Sequence, residues 1–374
     1  MIPFNKPFLV GKETQYIEEA VLLGKISGNG VFTKKCHSFF EKEYQFKKTL
    51  LTTSCTDALE MAAMLLKISP GDEVIVPSYT FVSSALAFVR QGAKIVFADS
   101  RADHPGIDES KIEELVTPRT KAIVVVHYAG IACDMDIVMN VANRHGLFVV
   151  EDAAQAIDSY YKGRPLGGIG HLSAFSFHET KNIISGEGGL LAINDEKFVG
   201  RSEIIWEKGT NRSAFFKGEV DKYGWVDTGS SFLPSELIAA FLYAQLERLA
   251  EIQEKRKSIW NTYYSELLPL KSQGKLRLPH IPDYATNNAH MFYVVTESMA
   301  QRDLMISHLK KKGIHAVFHY LSLHKSPFYL QDNKYRELEN SDKFSDCLIR
   351  LPFFFELDPK QLDYIIEQVK RFFP

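Results

Sequence analysis

The chain has 374 residues, 45% of them hydrophobic, and its 44 Lys and Arg against 46 Asp and Glu leave a formal charge of −2. That length suffices for one large domain and a smaller companion, and near-neutrality removes any overall pull toward nucleic acid or an anionic membrane. The start, Met1-Ile-Pro-Phe-Asn-Lys-Pro-Phe8, lacks the basic-then-apolar order of a signal peptide, and no apolar run reaches the roughly 18 residues of a membrane helix. The expected location is therefore the cytoplasm, and the expected partners are small molecules or a second copy of the chain.

From about residue 48, short apolar runs alternate with amphipathic stretches, the pattern of a mostly parallel sheet with helices on both faces. Strands are predicted over 49–52, 73–76, 94–97, 122–126 and 147–150, and helices over 57–67, 80–91, 108–116 and 134–145. Gly92 and Gly146 stand where helix stops belong. The runs 172–177 and 189–193 are joined by a polar loop too short for a crossover helix, so they are expected to finish the same sheet in the antiparallel sense. One long helix is predicted from about 235 to 268. The Pro-punctuated Leu278-Pro-His-Ile-Pro-Asp283 then marks a boundary between a large domain, 1–278, and a small C-terminal α/β domain, 279–374. In the small domain 290–295 and 316–320 read as strands, and 301–312 and two final stretches as helices. Cys36, Cys55, Cys133 and Cys347 are widely spaced without a C-x-x-C pair and are expected as reduced thiols; no metal-ligand spacing is found.

Ligands of an open parallel sheet bind outside the carboxyl ends of its strands, and three such places carry polar residues. Thr52-Thr-Ser-Cys-Thr-Asp57 joins a strand to a helix N-terminus, where free amides and the helix dipole favour a phosphate; a plain helix cap by Ser54 or Thr56 explains the same residues equally well. Glu151-Asp-Ala-Ala-Gln155 follows a buried run, and strand alternation sends its two carboxylates to opposite faces. Ser176-Phe-His-Glu-Thr-Lys181-Asn182 places a lysine just past a buried strand, and burial there lowers an amine's pKa and makes it nucleophilic toward carbonyls. A phosphate anchor, a strand-end acid and such a lysine are what a pyridoxal-phosphate enzyme requires.

Seven motifs in order carry a family resemblance: Pro77-Ser-Tyr-Thr-Phe-Val-Ser83, Val126-His-Tyr-Ala-Gly130, Val150-Glu-Asp-Ala-Ala-Gln155, Ala174-Phe-Ser-Phe-His-Glu-Thr-Lys-Asn182, Gly186-Glu-Gly-Gly189, Glu207-Lys-Gly-Thr-Asn-Arg-Ser213 and Phe318-His-Tyr-Leu-Ser-Leu-His324. Over essentially its whole length the chain resembles the DegT/StrS-type sugar aminotransferases, a branch of the fold-type I pyridoxal-phosphate enzymes. The resemblance implies that Lys181 is the Schiff-base lysine and proton shuttle, that Asp152 pairs with the pyridine nitrogen, and that Gln155 bonds the cofactor's phenolic oxygen. It places Phe81 on the pyridine face, although Phe81 alone would pass for a core residue, and sets the phosphate against Thr56, the amide of Asp57 and Ser176. It makes His178 a supporting residue and points to His319 and His324 for the sugar. Lys208 and Arg212 are candidates for the substrate's pyrophosphate.

Related enzymes that dehydrate keto-sugars carry histidine where Lys181 stands, so lysine argues for aminotransfer. One departure stands out. Many family members have a Gly-x-Asn-x-Arg run before the long helix, and here it reads Gly229-Ser-Ser-Phe-Leu233, leaving Ser231 as the residue that could reach a phosphate across a dimer interface. The implied reaction moves an amino group from glutamate, through pyridoxamine phosphate, to C4 of dTDP-4-keto-6-deoxy-D-glucose. The implied product is dTDP-4-amino-4,6-dideoxy-D-galactose for surface polysaccharide, such as lipopolysaccharide or enterobacterial common antigen, and the implied assembly is a homodimer. A C4-epimeric or C3 aminotransferase and a non-catalytic pyridoxal-phosphate-binding regulator are the alternatives.

Overall fold

The computed structural model describes residues 1–373. Its main sheet is built from β1 (Lys48–Thr52), β2 (Glu73–Pro77), β3 (Lys94–Ala98), β4 (Thr120–Val126) and β5 (Phe148–Asp152). A small hairpin, β6 (Tyr160–Tyr161) and β7 (Arg164–Pro165), precedes β8 (Leu172–Ser176) and β9 (Gly189–Ile193). The seven-stranded order is β1-β9-β8-β5-β4-β2-β3. Among the pairs in this sheet, those made by β9 are antiparallel, with β1 and β8, and the rest are parallel. As expected, 172–177 and 189–193 finish the same sheet as an antiparallel pair, β8 with β9, while β8 runs parallel to β5 on its other side. The stretch 153–171 is long enough to return β8 parallel to β5, whereas the short 177–188 loop can only reverse the chain into β9.

Apolar side chains fill both faces of this sheet, with Ile75, Ile123 and Val149 packed on one side and Val74, Val124 and Val150 on the other, as strand alternation requires. A second sheet, β10 (Tyr293–Val295), β11 (Val317–Phe318) and β12 (Leu348–Arg350), has β12 in the middle. Its core also takes Ile2 and, from the preceding helix, Ile259, Trp260 and Tyr263, so packing crosses position 278.

Several predicted elements change. The 108–116 stretch forms two short 3-10 turns, Glu109–Lys111 and Glu113–Leu115, because Glu109 turns inward to accept the Asp134 amide at 2.6 Å and the chain is already extended at Val116. The single helix over 235–268 is two, Glu236–Leu246 and Leu249–Ser272, since the first packs on the N-terminal helices and the second crosses to the small sheet. The strand at 316–320 stops at Phe318 because Tyr320 turns the chain with φ +33°. Helices Glu13–Leu22 and Val31–Glu43 precede residue 48, and β12 is a further addition.

The helix Val31–Glu43 has no side-chain cap of its own. Instead Glu236, 2% exposed, accepts the amides of Gly30 at 2.9 Å, Phe32 at 2.7 Å and Thr33 at 3.1 Å, and the Thr33 hydroxyl. Glu236→Ala leaves those donors buried without an acceptor and is expected to cost about 3–5 kcal/mol, read as a lowered urea midpoint. A second effect concerns acid. His37 accepts the Leu51 amide through Nε2 at 2.9 Å, and burial, with a smaller contribution from Lys48, pushes its pKa down to about 3. In the unfolded chain it titrates near 6.5, so its contribution is complete above that pH and is lost as pH falls toward 3. Stability is expected to drop between pH 6.5 and 4, and His37→Gln should flatten that slope by up to about 1.4 kcal/mol per pH unit.

Candidate active site

The strand-end motifs meet in one crevice at the carboxyl ends of β5 and β8. Glu151 and Asp152 do diverge. Glu151 points into the interior, 2.9 Å from His127 Nε2, and accepts the Gly167 and Ile169 amides at 2.8 Å each. Burial pushes its pKa up, but His127 and the surrounding amides outweigh that and hold it below the ordinary value. Asp152 faces the crevice: Oδ2 accepts from Ser84 Oγ at 2.6 Å and Oδ1 from the Ala154 amide at 3.1 Å. Burial raises its pKa while Ser84, the Ala154 amide and Lys181 oppose the rise.

Lys181 sits on the loop between β8 and β9, where its amide donates to the His178 carbonyl at 2.9 Å. Its neighbour Asn182 ties the loop to distant segments, donating through Nδ2 to Gln253 Oε1 at 2.8 Å and the Asn288 carbonyl at 2.9 Å, with Oδ1 2.8 Å from His290 Nδ1. The lysine is thus held by its backbone and its neighbour. Its own amine makes no hydrogen bond or ion pair among the described residues. Burial lowers its pKa; Cys55 and Asp152 pull the other way, and Arg350 lowers it further.

At the far end of the crevice Ser54 caps the helix Cys55–Leu65 by accepting the Asp57 amide at 3.1 Å. The Asp57 amide expected to face a phosphate is engaged by this cap, Asp57 itself lines the cavity, and its carboxylate accepts from the Thr53 hydroxyl. What this end presents is the Thr56 hydroxyl, 2.7 Å from Ser83 Oγ, and the first-turn amides that have no intrahelical acceptor. Gly189 permits the arrangement, because a Cβ there would collide with the Ser54 backbone.

These groups line a cavity of about 950 Å³ that includes Thr56, Asp57, Phe81, Asp152, Gln155, Ser176, His178, Lys181 and His319. Phe81 is 55% exposed, so it is no core residue; its ring is free to cover a planar ligand. Gln155 accepts the Ala129 amide at 2.6 Å and donates to Tyr320 Oη at 3.1 Å, aiming its amide into the cavity. His178 Nδ1 lies 2.9 Å from Thr180 Oγ1, and His319 Nδ1 lies 2.6 Å from Tyr128 Oη with its ring stacked on Tyr320.

Four predicted residues lie outside this cavity. His324, expected beside the sugar, is buried with Nδ1 2.6 Å from Ser78 Oγ and Nε2 3.6 Å from Asp342, and it pins the 318–325 segment to the end of β2. Ser231 is exposed and bridges to Glu207, Lys208 is exposed, and Arg212 lies 3.9 Å from Glu207. Ser84, His290, Tyr320 and Arg350 are cavity or supporting residues that strand-end reasoning passes over. Arg350 did leave a signal, a lone charge in the apolar run Leu348-Ile-Arg-Leu-Pro-Phe353.

A match to the DegT/DnrJ/EryC1/StrS aminotransferase family spans residues 9–370. The chain belongs to that family. Among curated relatives it is 34% identical to the spore coat polysaccharide biosynthesis protein SpsC of Bacillus subtilis, over 99% of this chain and 96% of that one. It is 31% identical to the GDP-perosamine synthase of Escherichia coli O157:H7, over 100% and 98%. The fold matches the Streptococcus pneumoniae protein Spr1654 in its PMP form with a TM-score of 0.92 and 28% identity, covering 100% of this chain and 99% of that one. This chain is a pyridoxal-phosphate-dependent nucleotide-sugar aminotransferase of the fold-type I architecture. Its residues fit that cofactor: an unpartnered amine, a buried carboxylate held by Ser84, an exposed aromatic face and a hydroxyl-lined helix N-terminus share one cavity.

Proposed function

We propose that the chain transfers the amino group of L-glutamate to C4 of dTDP-4-keto-6-deoxy-D-glucose, giving dTDP-4-amino-4,6-dideoxy-D-galactose for a surface polysaccharide. The observation that carries the reaction is the Lys181 amine, free of any partner, in the same cavity as a clamped Asp152. The donor, the sugar and the stereochemistry rest on the resemblance of the motifs.

Bound pyridoxal phosphate supplies an electron-poor ring that accepts the electron pair left when a proton departs the amino-bearing carbon. Asp152 would hold the proton on the ring nitrogen, and Ser84 with the Ala154 amide fixes the angle of its carboxylate. Gln155 would bond the phenolic oxygen, Phe81 would cover one ring face, and Thr56 and Ser176 would hold the phosphate. Lys181 Nζ would take the proton from the donor's α-carbon and, in the second half of the cycle, deliver one to C4 of the sugar. Its lowered pKa raises the fraction of free amine near neutral pH.

His178 is assigned to support of the lysine loop and His319 to the sugar side of the cavity. A cytoplasmic homodimer belongs to this reading, with Ser231, Lys208 and Arg212 placed to serve a site only across a subunit interface. The division at 278 into a cofactor domain and a closing domain belongs to it too. No helix among the described residues is long and apolar enough to cross a membrane.

The test is incubation of purified protein with glutamate and a panel of dTDP- and GDP-linked 4-keto-6-deoxy sugars, followed by mass spectrometry and NMR. A small H3–H4 coupling, from an axial amino group, on a dTDP sugar is the expected result. A large coupling makes the chain the C4-epimeric enzyme. GDP acceptors are included because a 31% identical relative is a GDP-perosamine synthase. Light scattering reads the dimer.

A further inference from the structure

One imidazole in the cavity has its proton fixed by hydrogen bonds and its other nitrogen unused. His290 lines the cavity, is 7% exposed, and follows Ala289, which turns the chain with φ +52°. Arg256 holds this turn, donating from Nε to the Ala289 carbonyl at 3.1 Å and from Nη2 to the His290 carbonyl at 2.6 Å. The ring is held as firmly. Asn182 turns its Nδ2 to the Asn288 carbonyl, a group that can only accept, so the atom 2.8 Å from His290 Nδ1 is Asn182 Oδ1. Nδ1 therefore carries the proton and donates it. Burial, reinforced by the charges of Lys181, Arg256 and Arg350, pushes the ring's pKa well down and keeps it neutral. A neutral imidazole protonated at Nδ1 keeps a lone pair on Nε2, and Nε2 makes no hydrogen bond or ion pair among the described residues. His290 thus offers the cavity an acceptor that cannot donate.

We infer that His290 Nε2 accepts a hydrogen bond from the hydroxyl on C3 of the sugar and so selects 3-hydroxy over 3-deoxy acceptors. Glutamate does not fit this atom. It brings two carboxylates, which accept, and an amino group that is itself the reacting group. The sugar brings donors. Of the two ring carbons beside C4, C5 carries a methyl group and C3 a hydroxyl, so the C3 hydroxyl is the donor nearest the reacting carbon. Lys181, which delivers the proton to C4, lies near enough to His290 for its charge to act on the ring, and this puts Nε2 at the C4 end of the sugar. Other acceptors of the cavity are already engaged: Asp152 by Ser84 and the Ala154 amide, and Gln155 Oε1 by the Ala129 amide. A sugar without the hydroxyl would cover Nε2 and give it no donor, a penalty that an apolar wall would not impose.

This inference rests on the C4-aminotransferase reading, and its test separates the two. The wild-type holoenzyme should use dTDP-4-keto-6-deoxy-D-glucose with a kcat/KM about 30-fold above that for its 3-deoxy counterpart, and calorimetry should give a similar ratio between the Kd values of the two aminated products. His290→Asn puts an amide where Nδ1 stands and no atom at Nε2, so it keeps a donor for Asn182 and should narrow both ratios to about threefold. In single turnovers this variant should slow the sugar half-reaction about 30-fold and the glutamate half-reaction by no more than about threefold. Equal slowing of the two halves is the behaviour of a residue that acts through the lysine loop alone, since Lys181 serves both, and overturns the inference. Equal use of the 3-hydroxy and 3-deoxy acceptors by the wild type, which requires no variant to fold, overturns it too. So does a ¹⁵N spectrum that places the ring proton on Nε2. If the wild type aminates C4 of a GDP-linked sugar instead, the dTDP of the proposed function falls, and the 3-hydroxy to 3-deoxy ratio measured on that nucleotide still supports the inference.

Discussion

Lys181→Ala is expected to lower kcat by about 10⁴-fold or more, because one side chain is both the covalent anchor and the proton carrier. The loss should be specific to chemistry. The Lys181 amine has no partner to orphan, and the loop that carries it is held by backbone contacts and by Asn182, which the substitution leaves intact. The thermal midpoint should therefore stay within about 3 °C of wild type, since removal of a half-buried, unpaired amine costs little. Affinity for the aminated nucleotide sugar should persist. Steady-state kinetics, a melting curve and calorimetry read the three quantities, and normal turnover by this variant would falsify the assignment of Lys181.

Asp152→Asn should reduce kcat by about 10³-fold without emptying the site. The asparagine keeps the shape of the side chain and can still accept the Ala154 amide, as Asp152 Oδ1 does at 3.1 Å. What disappears is the negative charge that would hold a proton on the cofactor's ring nitrogen, and with it the ring's capacity to take up electrons. Burial already disfavours this charge and raises the carboxyl's pKa, so folding should tolerate the neutral amide or gain slightly from it. Loss of turnover with cofactor affinity within about tenfold of wild type is the expected pattern. Full activity in a loaded Asp152→Asn protein would remove Asp152 from the mechanism. Weak cofactor binding accompanied by wild-type turnover at saturation would reduce it to a binding contact.

The parts of the site legible from the chain alone are those that follow directly from a strand end. Asp152 closes β5, Ser176 closes β8 and Lys181 lies a few residues beyond, so two-residue alternation and the rule for open sheets were enough to put them on one rim. The opposed directions of Glu151 and Asp152 follow from the same alternation, and the structure gives each its own set of partners. Periodicity did less well where a neighbour overrides local preference. The inward turn of Glu109 denies the 108–116 stretch a helix, and the two packing surfaces of 235–272 break what reads as a single one. The reversed strand could be placed in the sheet, but the choice between β8 and β9 depended on the lengths of two connections.

Other assignments turned on contacts that no local pattern encodes. The Asp57 amide is engaged by Ser54 and the His324 ring lies against Ser78, contacts that neither residue's place in the sequence announces. Arg350, from the small sheet, and Tyr320, just past the end of β11, enter the cavity from well over 100 residues along the chain from Lys181. Their arrival is set by how the small sheet docks on the long helix.

The order of seven motifs, with lysine at 181 and aspartate at 152, determined the family and the class of chemistry, because the covalent and proton-transfer roles require particular functional groups at particular strand ends. Composition and charge determined only that no polyanion need be the partner. Tertiary structure decided which polar groups are already satisfied and which are left over, since hydrogen bonds and burial are properties of surroundings assembled from distant segments. By that measure Ser54, Glu151 and His324 are engaged, whereas Lys181 and Arg350, in one cavity, are not.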